Sequence, residues 1–113
     1  MPRLLRWLAL VLCAIALLGA GPGFRTQRHL DDHYRKHGSE FGSVSKADYL
    51  RFAQELRDAP AGANILEAKR NDGVVTRFDR KRGWFGAYNR DRTIRTFFIP
   101  AAGESYFRRQ AGR

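Results

Sequence analysis

Residues 64–100 read NILEAKRNDGVVTRFDRKRGWFGAYNRDRTIRTFFIP. This stretch decides the fold. Four short runs rich in β-branched and aromatic residues, at 64–70, 74–79, 84–89 and 93–99, are separated by links of three or four residues. Asn71-Asp72-Gly73 is a hairpin turn signal, because Asp-Gly favours the positive backbone angles of a tight turn. Arg80-Lys81-Arg82-Gly83 supplies a second, basic turn, and Pro100 ends the last run. Strands joined so closely can only return antiparallel, which predicts a four-stranded meander.

Upstream of this stretch the apolar period changes from strand-like to helical. Within residues 26–37, Leu30, His33, Tyr34 and His37 fall at i, i+3, i+4 and i+7, one face of a helix, with Asp31, Asp32, Arg35 and Lys36 on the other side. Gly38 is placed to end it as a C′ residue. Ser45-Lys46-Ala47-Asp48 resembles a capping box and opens a second helix that runs to about Asp58, with Tyr49, Phe52, Ala53 and Leu56 as its stripe. Ala59-Pro60-Ala61-Gly62 stops it. Helices first and strands afterwards give an α+β class: two N-terminal helices packed on one face of the meander. Residues 101–113 read as a tail in which Tyr106 and Phe107 dock on the body, while 110–113 fray.

At the far N-terminus, Arg3 and Arg6 precede an apolar run from Trp7 to Leu18, and Gly19-Ala20-Gly21-Pro22-Gly23 follows. A positive start, an apolar core and a small-residue end make a signal-type segment over residues 1–23. The apolar core is short for a membrane span, which takes about 20 residues. Ala20 and Gly21 are the alternative cleavage points. The expectation is export through the inner membrane to a periplasmic or secreted location, with N-terminal anchoring if the segment is retained and otherwise no stable membrane insertion. Residues 24–113 form the single basic domain. Cys13, the only cysteine, falls in the apolar run, so the domain holds no disulfide and no cysteine-based metal or redox site.

The chain has 21 Lys and Arg against 11 Asp and Glu, a net +10. Residues 1–23 contribute two arginines and no acid, leaving +8 on the domain. A balance of this sign suits phosphate-rich partners: RNA, DNA or an anionic surface. Lys69, Arg70, Arg77, Arg80, Lys81, Arg82 and Arg95 lie on the strands and turns, mixed with Phe78, Trp84, Phe85, Tyr88, Phe97 and Phe98. Arginine holds phosphates bidentately and aromatic rings stack unpaired bases. A half-buried sheet with a charged outer face gives the same pattern, and most of these rings are needed as core.

His29, His33 and His37 are spaced four and four apart on one side of the first helix. Three readings follow. They cover the sheet together with Tyr34; they act as general acid and base near neutrality; or two of them grip a metal ion at i and i+4. The third reading lacks an obvious carboxylate, since Asp32 lies about 100° off that face and neither Asp31 nor Glu40 has a clear reason to point inward. RNA cleavage without metal needs a base for the ribose 2′-hydroxyl, an acid for the leaving 5′-oxygen, and a cation and hydroxyl beside the phosphorane. The residue types are present.

The string Asp32-His33-Tyr34-Arg35-Lys36-His37-Gly38-Ser39-Glu40-Phe41-Gly42 resembles the opening of C-terminal toxin domains from bacterial competition systems, the colicin D-like tRNA-cleaving group among them. A second helix beginning with Ser or Thr, a strand with a basic end, an Asp-Gly hairpin, an aromatic strand like Trp84-Phe85-Gly86-Ala87-Tyr88 and a last strand like Thr93-Ile94-Arg95-Thr96-Phe97-Phe98 continue it in order, with Tyr106-Phe107 in the tail. The likeness runs from about Leu30 to Gln110. It implies the barnase/colicin/RelE-type nuclease fold and a metal-independent endoribonuclease that needs no cofactor, acts on RNA, with tRNA among its candidate substrates, and leaves a 2′,3′-cyclic phosphate. It also implies an acidic immunity protein as partner. It maps the acid or base to His37, with His33 second, phosphate stabilisation to Lys69 and Arg70, and a phosphate contact to Thr96. Arg77, Arg80, Lys81, Arg82 and Arg95 stand as further substrate contacts. The reading from another class is a non-catalytic exported module that binds RNA, an anionic surface or a protein.

Overall fold

The computed structural model describes residues 21–113; residues 1–20, which hold most of the signal-type segment and Cys13, lie outside the described residues. The architecture is α+β. Helix α1 spans Gln27–His37 and continues into a 3-10 turn over Gly38–Phe41, and α2 spans Lys46–Asp58. Strands β1 (Ile65–Lys69), β2 (Val75–Asp79), β3 (Trp84–Tyr88) and β4 (Ile94–Phe98) follow, and helix α3 (Glu104–Ala111) closes the chain. The sheet order is β1-β2-β3-β4, antiparallel throughout, as the short links require. No helix among the described residues is long and apolar enough to cross a membrane.

Local chemistry sets the element ends. Thr26 caps α1 by accepting from the His29 N–H, and Ser45 caps α2 by accepting from the Asp48 N–H. Gly38 does not end α1 in the left-handed conformation. Its backbone is right-handed helical and carries the chain into the 3-10 turn. It is glycine for want of room: a Cβ there would lie 2.6 Å from the Tyr34 ring. Gly73, by contrast, has φ +86 in the β1–β2 turn, where glycine is free of the usual steric penalty.

The sheet buries both faces. Tyr88, Ile94 and Phe97, with Ile65 and Trp84 at the margin, pack on α1 and α2 through Leu30, Tyr49, Ala53 and Leu56. Tyr49 and Tyr88 take their hydroxyls into this core and donate them to the carbonyls of Phe97 and Ala53. Each fully buried ring contributes about 2–3 kcal/mol by burial. The opposite face (Val74, Phe78, Phe85, Ala87, with Leu66 and Phe98) is covered by Phe107 and Tyr106 of α3. The expected tail is therefore a helix that includes Gln110, and its docking is fixed by Glu104, which accepts from Arg80 and Arg108.

Two features place the site. Gly23 accepts from the Ile94 N–H at 2.9 Å and Phe24 bridges to Ile94, so residues 21–24 are stapled along β4. Gln54 also reaches back to the Gly21 and Pro22 carbonyls. Residues 21–23, expected to belong to the signal-type segment, are therefore packed against the domain. The second feature is a register shift in β4: Tyr88 pairs with Ile94 but Ala87 pairs with Thr96, which leaves Arg95 as an extra, exposed residue. This bulge reverses the alternation. Ile94 and Phe97 face α1 and α2, while Thr96 and Phe98 face the other way.

Candidate active site

Helix α1 lies beside β4, and its face splits. Leu30 and Tyr34 turn into the core, whereas His33 and His37 line a groove of about 450 Å³ with Asp32, Lys36, Thr96, Phe98 and Tyr106. The bulge is what delivers Thr96 to this groove, 59 residues along the chain from His37. The His33 and His37 ring centroids are 6.2 Å apart, close enough for both to reach one phosphodiester. His37 stacks on Phe98 at 5.1 Å, and Tyr106 packs edge-on to Phe98 at 5.3 Å, giving the groove an aromatic floor.

His37 is held from behind. The 3-10 turn swings Glu40 back so that its Oε2 lies 2.7 Å from His37 Nδ1, and Glu40 Oε1 accepts the Ile99 N–H at 2.8 Å. An ionised carboxylate can only accept, so Nδ1 carries the proton and Nε2 is left for the groove. His37 is thus oriented by helix, turn and strand together.

His33 has no such partner: among the described residues its Nδ1 is buried without a hydrogen bond. Burial, and then the charges of His37 and His29, hold its pKa below the ordinary histidine value. The ring is therefore neutral at pH 7 and able to accept a proton. Lys36 lines the same groove, and among the described residues it enters no ion pair. The arrangement supplies two imidazoles, one cation, two hydroxyls and a stacking surface.

The other sequence-predicted residues sit elsewhere. Lys69 and Arg70 lie at the end of β1, the opposite edge of the sheet from β4, three strand spacings or about 14 Å away. Neither lines the groove; Lys69 lines a cavity of about 700 Å³ at that end of the sheet. Arg77 also borders that cavity but is buried, with its guanidinium donating to the Leu56 and Ala59 carbonyls at the end of α2. Arg80 is engaged by Glu104 and the Ala63 carbonyl. Arg82 lies over the Trp84 ring at 4.6 Å, and Lys81 is exposed beside it in the turn. Arg77 is thus an internal fastener, and Arg80 ties the β2–β3 turn to α3 at the surface; strand alternation does not distinguish such roles from substrate binding. Arg95 is at the rim of a hollow that adjoins the groove.

Sequence reasoning missed Glu40, Lys36 and Tyr106. The i, i+3 spacing of His37 and Glu40 was the available signal, but it points inward only once Gly38 lets the helix tighten. Among the described residues no three His, Cys, Asp or Glu side chains converge as a metal site. No family model matches the chain, and no curated protein matches it in sequence.

Proposed function

We propose that this protein is a metal-independent endoribonuclease, exported and toxin-like, whose active site is the groove between α1, β4 and α3. The observation that carries the reading is the convergence of His33, His37 and Thr96, with His37 Nδ1 held by Glu40. A neutral His33 takes the proton of a ribose 2′-hydroxyl. The freed oxygen attacks its own phosphorus, and the 5′-oxygen leaves with the Nε2 proton of a doubly protonated His37, whose Nδ1–H stays bonded to Glu40, forming a 2′,3′-cyclic phosphate and a 5′-hydroxyl. Lys36 and the Thr96 hydroxyl face the charge that develops on the phosphorane. Phe98 and Tyr106 offer rings on which an unpaired base stacks. The net charge of +10 favours approach of RNA. An acidic immunity protein covering the same rim is the partner this reading expects.

The test uses the full-length protein in mild detergent with an unstructured RNA in EDTA. Cleavage should yield a cyclic phosphate by mass spectrometry, and a single 2′-deoxy substitution at the cut linkage should abolish it. Cleavage that survives the deoxy substitution would remove this mechanism. Binding without any cleavage would favour the non-catalytic module.

A further inference from the structure

His33 is a wall shared by two hollows. On its far side from the groove lies a pocket of about 260 Å³ between the start of α1 and the β4 bulge, lined by Arg25, His29, His33, Asn89, Ile94 and Arg95. Its charged and titratable lining is entirely basic. Arg25, Asn89 and Arg95 also border the next hollow along, with Asp72 and Asp91; Asp72 accepts from the Val74 N–H and Asp91 from the Thr93 hydroxyl and N–H, and the two arginines act on them more weakly, through space. Among the described residues neither Arg25 nor Arg95 enters a salt bridge or donates a side-chain hydrogen bond. This separates them from Arg57, Arg77 and Arg80, which donate to carbonyls or carboxylates of the fold itself.

The backbone puts these cations there. The staple of Gly23 and Phe24 on Ile94 sets Arg25 beside β4, and the bulge throws Arg95 outward at the same level. Two segments far apart in the chain thus present guanidiniums to one small hollow, with Asp72 and Asp91 on the flank away from His33. Successive histidines on α1 rise about 6 Å along the axis, a step comparable to that between successive phosphates of an extended strand. A polyanion following this row leaves the groove at His33 and enters the pocket at His29.

We propose that this pocket is a second phosphate subsite, which binds the backbone phosphate next to the scissile one. The inference rests on the ribonuclease reading and narrows its substrate to an unpaired strand that carries at least two consecutive phosphates. Arg25 and Arg95 hold the neighbouring phosphate, and Asn89 offers its amide to the same oxygens. The subsite adds affinity and register, while the chemistry stays with His33 and His37.

The experiment compares two substrates, a dinucleoside monophosphate with one phosphate and an unstructured tetranucleotide with three. For Arg25→Gln in the full-length protein, kcat/KM on the tetranucleotide should fall about 10- to 100-fold, the worth of a charge-assisted hydrogen bond, with the dinucleotide changed less than about twofold. In parallel, fluorescence anisotropy follows binding of an all-2′-deoxy tetranucleotide, which cannot be cleaved. The slope of log affinity against log salt should flatten by about 0.7 in an Arg25→Gln/Arg95→Gln variant, one phosphate contact on a single strand. Equal losses on both substrates, or an unchanged salt slope, would overturn the subsite while leaving the ribonuclease reading standing. A wild type that cleaves neither substrate, yet binds the deoxy strand with a slope that the double variant loses, would support the subsite and remove the catalytic reading.

Discussion

His37 and Glu40 are three residues apart, and the consequence of their pairing is that Nδ1 keeps its proton while Nε2 serves the groove. The Glu40→Gln variant separates orientation from simple packing. A glutamine whose carbonyl keeps the Ile99 N–H bond turns its NH2 toward Nδ1. An NH2 facing Nδ1 leaves no place for a proton there, so the doubly protonated ring that donates from Nε2 is disfavoured. We expect kcat to fall on the order of 10²-fold, with KM changed less than threefold and the melting temperature preserved. If Glu40 only supports the turn, the variant lowers stability and leaves kcat alone. At this scale the sequence was legible for His33, His37 and Thr96 as residue types. It was not legible for partnership: nothing in the spacing of Arg77 announces that its guanidinium closes the carbonyl end of α2, and Gly38 looks like a helix stop until the Tyr34 ring is seen above it.

Among the elements, the two N-terminal helices and four strands could be read to within a residue or so, because capping side chains, the change of apolar period and turn glycines are local signals. Helix α3 and the β4 bulge could not. An eight-residue helix is marginal in isolation, and its stability comes from docking Phe107 against Phe78, Tyr106 against Phe85, and Glu104 against Arg80. Its fate should follow the charge of Glu104. The bonds from Arg80, and then Arg108, hold this carboxyl down at about 2, from an ordinary 4.5. The folded value is depressed, so the contribution is full above the ordinary value and is lost as pH falls toward the folded one. Amide hydrogen exchange of residues 104–111 should accelerate between pH about 4.5 and about 2 by more than the intrinsic pH effect, and Glu104→Gln should abolish that excess. An α3 whose protection ignores both changes is not held by this carboxylate. The bulge escaped for a different reason: regular alternation puts Ile94 and Thr96 on one face and Phe97 on the other, and only the burial of both Ile94 and Phe97 against the helices requires an extra residue between them.

For the molecule as a whole, the basic excess is not spread evenly in function. Arg57, Arg77, Arg80 and Arg92 are spent on carbonyls and carboxylates within the fold. The cations turned toward the α1–β4 rim, Lys36, Arg25 and Arg95, are without ion-pair partners among the described residues. That division favours a polyanion track along one edge over a basic surface kept for solubility alone. The total charge was evident in the sequence, whereas its partition depends on which arginines the tertiary structure consumes. Everything converges on the chemistry of His37. The most direct measurement incubates full-length wild type and a folded His37→Ala variant with unstructured RNA in EDTA and follows the cut by gel. Cleavage by the wild type and a loss of about 10²- to 10⁴-fold in the variant are expected. Equal cleavage by both, or none by the folded wild type, would contradict the ribonuclease reading.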